Sequence, residues 1–109
     1  MPHVEPICSS LADDPVLGEI VEIFVEETPS RIDALQSQAA ANDWEALART
    51  AHQLAGAFGS HGFNQITPFA KRLEIAASQT LPKEQILTVL DELAGMCSRM
   101  QAGSEETVD

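Results

Sequence analysis

The chain reads as an all-α protein, an antiparallel up-down-up-down four-helix bundle, on three observations. Apolar residues recur every three or four positions in four separate segments, Gly, Pro and capping residues fall between those segments, and nothing alternates with the period of a half-buried strand. Four amphipathic helices joined by short breaks cannot each bury a stripe alone, and a closed bundle is the simplest arrangement that buries all four. A length of 109 residues with 44% hydrophobic content suits one domain around one core. The expected division is a bundle over residues 1–101 and a flexible acidic tail over 102–109.

Asp13 and Asp14 ahead of Pro15 predict the start of the first long helix. Its run from Val16 to about Ala41 carries Leu17, Ile20, Val21, Phe24, Thr28, Ile32 and Leu35 near helical spacing, and Pro29 is expected to kink it without ending it. Asn42 and Glu45 then have the spacing of a capping box, with Asp43 as a competing cap. The second helix follows with Trp44, Leu47, Ala51, Leu54 and Phe58 on one stripe, and should end near Gly59 to Gly62. The third is predicted from about Asn64 to Ala77 with Ile66, Phe69, Ala70, Leu73 and Ala77 inward, Thr67 and Pro68 looking like an N-cap and first helical residue. The fourth runs from Pro82 to about Met100, with Ile86, Val89, Leu90, Leu93, Cys97 and Met100 on one side. A short helix around Ile7 to Ala12 is an option for capping one end.

Charge narrows the function classes. Six basic against seventeen acidic side chains leave a net charge of −11, which repels phosphate backbones and anionic membrane surfaces, so nucleic acid is excluded as the main partner. The start, "MPHVEPICSS", has neither a basic n-region nor an apolar core, and no stretch approaches the roughly 20 apolar residues that cross a bilayer. A free-standing cytoplasmic monomer without membrane attachment is expected. Cys8 and Cys97 fit no paired-cysteine metal pattern and are read as separate reduced thiols, a disulfide between them being the lesser alternative.

The segment "AHQLAGAFGSHGF" (51–63) places a histidine one turn before a glycine that costs roughly 1 kcal/mol relative to alanine inside a helix. At about 100° per residue, His52 lies about 110° to one side of the second helix's apolar stripe, on a flank it shares with Ala48, Gly56 and Gly59. Glu74 sits about 110° from the apolar centre of the third helix, on the same angular side. Both residues lie roughly 12 to 15 Å from the connecting loop, so an antiparallel pair brings them together and predicts a hydrogen bond from the imidazole to Glu74. If Nδ1–H donates to that carboxylate, Nε2 is left unprotonated and aimed outward as a nucleophile. No serine or cysteine is set up as a triad partner, and a single exposed imidazole suits accepting a group from another protein. His61 has no partner at ligand spacing and is expected to be a solvated loop histidine; a zinc site built from His52 and His61 is the remote alternative, so no metal is expected. Phe63, near the same loop, is expected in core or cap packing with partial exposure in view.

"HQLAG", then Gly62 and the later "RLE", resemble the histidine-containing phosphotransfer (HPt) domain, whose pattern reads roughly HxLKG with a glycine some ten residues after the histidine. The likeness includes "IVEIFVEETPSRIDAL", "NDWEALARTAHQL" and "GF...KRLE", in the family's order and spacing. It implies that His52 exchanges a phosphoryl group through Nε2 with the aspartate of a response-regulator receiver domain, that Gly56 keeps His52 accessible, and that Glu74 takes the place of a family residue bonded to the imidazole. A hybrid sensor histidine kinase is the second implied partner. No cofactor is expected on this chain, because the resemblance assigns Mg²⁺ to the receiver's acidic pocket, and no autonomous kinase activity is implied.

One departure bears on mechanism. The family commonly has a lysine three residues after the histidine, and here that residue is Ala55. Arg49 and Lys71 are the candidates to neutralise the phosphoryl oxygens in its place, Arg49 first because it shares the helix with His52. Ala55 also fits a bundle that docks a receiver or kinase without carrying phosphate. The expected docking patch comprises Ala48, Ala55, Gly56 and Gly59, with exposed positions of the first helix near Leu17 and Val21.

Overall fold

The structure is a computed structural model that describes residues 5–101; the acidic tail expected over 102–109 lies outside the described residues. Four helices carry the fold: α1 (Leu17–Ala40), α2 (Trp44–Ser60), α3 (Thr67–Ser78) and α4 (Lys83–Cys97). Each helix packs on the next and α4 returns beside α1, with α2 and α3 the most extensive pair. This is the predicted all-α bundle. Two two-residue strands, β1 (Ile7–Cys8) and β2 (Met100–Gln101), pair in parallel at one end, Ile7 beside Met100 and Cys8 beside Gln101.

The capping helix considered around Ile7 to Ala12 is absent: the segment is strand and turn. Alongside turn bonds of its own, such as that from the Ala12 N–H to the Ser9 carbonyl, it bonds to other elements. The Ile7 N–H donates to the Arg99 carbonyl at 2.8 Å, the Ser10 N–H to the Gly62 carbonyl at 3.0 Å, and the Ser9 hydroxyl to the His61 carbonyl at 2.6 Å. A two-residue strand has no periodicity to read, which is why neither strand was expected.

Asp14 starts α1, its carboxylate accepting from the N–H groups of Val16 at 2.8 Å and Leu17 at 2.9 Å. Those donors hold the carboxyl below its ordinary pKa of 3.8. The helix runs on through Pro29, and the adjacent Thr28 hydroxyl, buried against α4, donates to the Phe24 carbonyl at 2.7 Å. Val21, Phe24, Thr28, Ile32 and Leu35 are buried as expected, with Ala39 continuing the stripe, but Leu17 and Ile20 are not, Ile20 being 47% exposed. Ile20 instead edges an open hollow with Ile23, Ala57 and His61, which leaves its side chain uncovered.

The capping contest before α2 goes to Asp43, whose carboxylate accepts from the Ala46 N–H at 3.2 Å. Asn42 instead adopts the left-handed conformation, φ 57°, and its side-chain oxygen accepts from Lys83 Nζ at 2.9 Å, tying the turn to the start of α4. α3 begins at Thr67, later than Asn64, and Thr67 is not its cap: its hydroxyl reaches across to the Ala55 carbonyl at 3.5 Å. Pro68 occupies the first turn as predicted. α4 stops at Cys97, and Met100 is buried from β2.

Phe58, Phe63, Leu35, Leu47, Leu54, Ile66, Leu73, Ile86 and Leu93 fill the centre, Phe63 at 1% exposure and not partly exposed. Cys8 and Cys97 are not joined by a disulfide, and burial pushes the Cys97 thiol up to about 12. No helix among the described residues is long and apolar enough to cross a membrane.

Candidate functional site

The exposed face of the α2–α3 pair is held in rotation by what lies beneath it. Ala51, Leu54 and Ala55 of α2 and Leu73, Ala76 and Ala77 of α3 are buried on either side of His52 and Glu74, so each polar side chain can only emerge at the seam. The helices run antiparallel, His52 meeting Glu74 while Ala55, further along α2, meets Thr67 at the start of α3.

His52 Nδ1 lies 3.1 Å from Glu74 Oε2. An ionised carboxylate only accepts, so the proton of that hydrogen bond sits on Nδ1, and in the neutral ring the lone pair is then on Nε2. The His52 side chain is 73% exposed and that of Glu74 31%, so the carboxylate is seated in the seam and the ring projects from it. The predicted contact between His52 and Glu74 is therefore present, and it is made through Nδ1.

A shallow groove beside the ring is lined by His52, Ala55, Gly56, Gly59, Thr67, Lys71, Glu74 and Ile75. Gly56 is exposed, and a methyl group there would meet nothing within 4 Å. Its missing side chain leaves open space one turn beyond the imidazole and relieves no crowding. At Gly59 a methyl would touch Asn64 and Thr67 at 3.8 Å, an ordinary contact. Ala55 is 5% exposed and forms part of the groove floor.

Three expected positions lie elsewhere. Ala48 is half-buried and lines a separate hollow with Trp44, Glu45, Ala77, Ser78 and Thr80, because its side of α2 is already covered by the end of α3. The exposed α1 positions near Leu17 and Val21, which are Leu17, Ile20 and Ile23, do not line this groove, and Val21 itself belongs to the core. Arg49 is exposed, does not line the groove and makes no ion pair among the described residues, whereas Lys71 does line it. Two groove residues went unremarked as such: Ile75, an exposed isoleucine off the α3 stripe, and Thr67, whose position before proline suggested a cap. The off-stripe isoleucine was the available signal.

His61 is not a solvated loop residue. It closes α2, its Nδ1 donating to the Ala57 carbonyl at 2.7 Å, and its ring stacks on Phe24 with centroids 4.1 Å apart. It lines a hollow with Ile20, Ile23 and Ala57, away from the His52 groove. Among the described residues no three His, Cys, Asp or Glu side chains cluster as a metal site would require.

Chemically, the groove offers one nucleophilic nitrogen in solvent, a carboxylate to hold its ring and absorb positive charge, and one ammonium. It has no serine or cysteine nucleophile, and the Thr67 hydroxyl is turned to a backbone carbonyl. Such a site can take up a group delivered by a second molecule and hold it on the surface.

The profile of the Hpt domain family matches residues 19–103. No curated protein and no solved structure matches the chain.

Proposed function

Because the chain belongs to the Hpt domain family of histidine phosphotransfer modules in two-component signalling, we propose that it is a cytoplasmic phosphocarrier in which His52 shuttles a phosphoryl group to and from the aspartate of response-regulator receiver domains. A hybrid sensor histidine kinase is the other proposed partner. The observation that carries this reading is the exposed imidazole of His52, 73% exposed and the one exposed histidine among the described residues, with Nδ1 held on Glu74 and the ring projecting into solvent.

In the transfer, the Nε2 lone pair attacks phosphorus of the aspartyl phosphate. The Nε2–P bond forms as the P–O bond to the aspartate breaks, and that bond's electrons remain on the departing carboxylate. No proton need leave, because Nδ1–H is retained; the ring becomes cationic and Glu74 stabilises it. Gly56 leaves the space through which the receiver's phosphorylated loop approaches. Ala55, Gly59 and Ile75 supply the apolar lining of the groove at the seam.

The test is transfer of labelled phosphate from a panel of receiver domains charged with a small-molecule phosphodonor. Acid-labile label should appear on the native chain, vanish in His52→Gln, and accumulate more slowly in Glu74→Ala with folding intact. Receiver binding with no label on the native chain would replace the carrier by a docking module. Neither label nor binding across the panel would remove the proposal.

A further inference from the structure

Phosphorylation of Nε2 brings a dianion to a groove that already holds the Glu74 carboxylate. The α2 residue one turn on from His52, where the related pattern has a lysine, is Ala55, and its methyl offers no charge. The antiparallel register locates the substitute. His52 faces Glu74; three residues further along α2 is Ala55, and three residues back along α3 is Lys71, so the register sets Lys71 level with Ala55 across the seam, one turn from the Thr67 hydroxyl that bonds the Ala55 carbonyl.

Lys71 is also the one cation among the described residues that lines the His52 groove. It is exposed and makes no ion pair there, so its ammonium is not engaged by another carboxylate. Arg49 shares the helix with His52 but does not line the groove. Resting on the carrier reading of His52, the geometry points to Lys71 as the phosphoryl-binding residue: the cation has moved from α2 to the facing position of α3. Its four-carbon stem lets the ammonium follow the oxygens from the receiver's aspartate to Nε2. A compact point charge suits a group whose negative charge is spread over three oxygens.

The experiment compares the native chain with Lys71→Met, Lys71→Arg and Arg49→Met. Transfer from a charged receiver and the Kd for the uncharged receiver are measured for each. Lys71→Met should slow transfer about tenfold, the scale of one charge-assisted hydrogen bond, with the Kd and melting temperature unchanged. Lys71→Arg should retain most of the rate, added salt should narrow the gap between Lys71→Met and the native chain, and Ala55→Lys should recover rate in the Lys71→Met background. Native-rate transfer by Lys71→Met, or an equal loss in Arg49→Met, would overturn the assignment while leaving the carrier intact. Absence of label on the native chain itself would instead indict the reading of His52.

Discussion

Gly56 and Gly62 are six residues apart and are glycine for opposite reasons. Gly62 has φ +83°, and a Cβ there would sit 2.5 Å from the Ser9 hydroxyl oxygen, 2.9 Å from that of Ser10 and 3.0 Å from the Leu11 nitrogen. Its carbonyl accepts from Ser10, so the turn after α2 is pressed against the N-terminal segment. Around Gly56 there is nothing to press against. The turn end of the bundle therefore needs a glycine in order to fold, while the groove carries one at the expense of helix stability. The space at Gly56 is the one the proposed receiver would use.

The sharpest way to break this contrast is Gly62→Val. Forcing a β-branched residue into the left-handed region costs roughly 1–3 kcal/mol before the collision with Ser9 is counted, and the melting temperature should fall by about 10 °C or more. A native melting temperature would mean that the turn and the N-terminal segment do not need their close contact. Gly56→Leu should behave in the opposite way. Replacing an exposed helical glycine should stabilise the fold by up to about 1 kcal/mol, while the side chain fills the space beside His52 and slows phosphoryl transfer at least tenfold. If transfer persists at the native rate, the receiver does not enter over Gly56.

The smallest effect belongs to Asp14, at the same closed end as Gly62. Its carboxyl is held below the ordinary value, so its contribution is fully present above pH 3.8, the unperturbed value, and is lost as pH falls through the lower folded-state value. Asp14→Ala should therefore lower the melting temperature slightly at neutral pH, and the difference from the native chain should shrink in acid. Phosphoryl transfer at pH 7 should not change, because Asp14 does not line the His52 groove; a loss of transfer would show that the two regions communicate.

Much of the site was legible because it obeys helical geometry. His52 and Glu74 sit at matching angles and heights on consecutive antiparallel helices, and those follow from 100° and 1.5 Å per residue. Misreadings came where a residue's fate depends on a neighbour that helical periodicity does not reveal. Leu17 and Ile20 keep the α1 spacing but are left exposed, Ile20 at an open hollow beside the end of α2. Thr67 has the look of a cap, yet the nearest acceptor for its hydroxyl is the Ala55 carbonyl of another helix. His61 looked solvated in a glycine-flanked loop, and it stacks on Phe24 because the turn at Gly62 folds the chain back onto α1.

The sequence by itself determined the class of the fold, the four helices, the carrier histidine as a candidate and the carboxylate that holds it, because period and spacing along a helix are local properties of the chain. Only the tertiary structure decided which cation shares the groove. Arg49 and Lys71 are equivalent on a helical wheel. They become different when α3 lies antiparallel on α2 and brings Lys71 level with Ala55, while Arg49 is left outside the groove. The separation of Gly56 from Gly62 has the same origin: a missing side chain acquires meaning from what packs, or does not pack, against it.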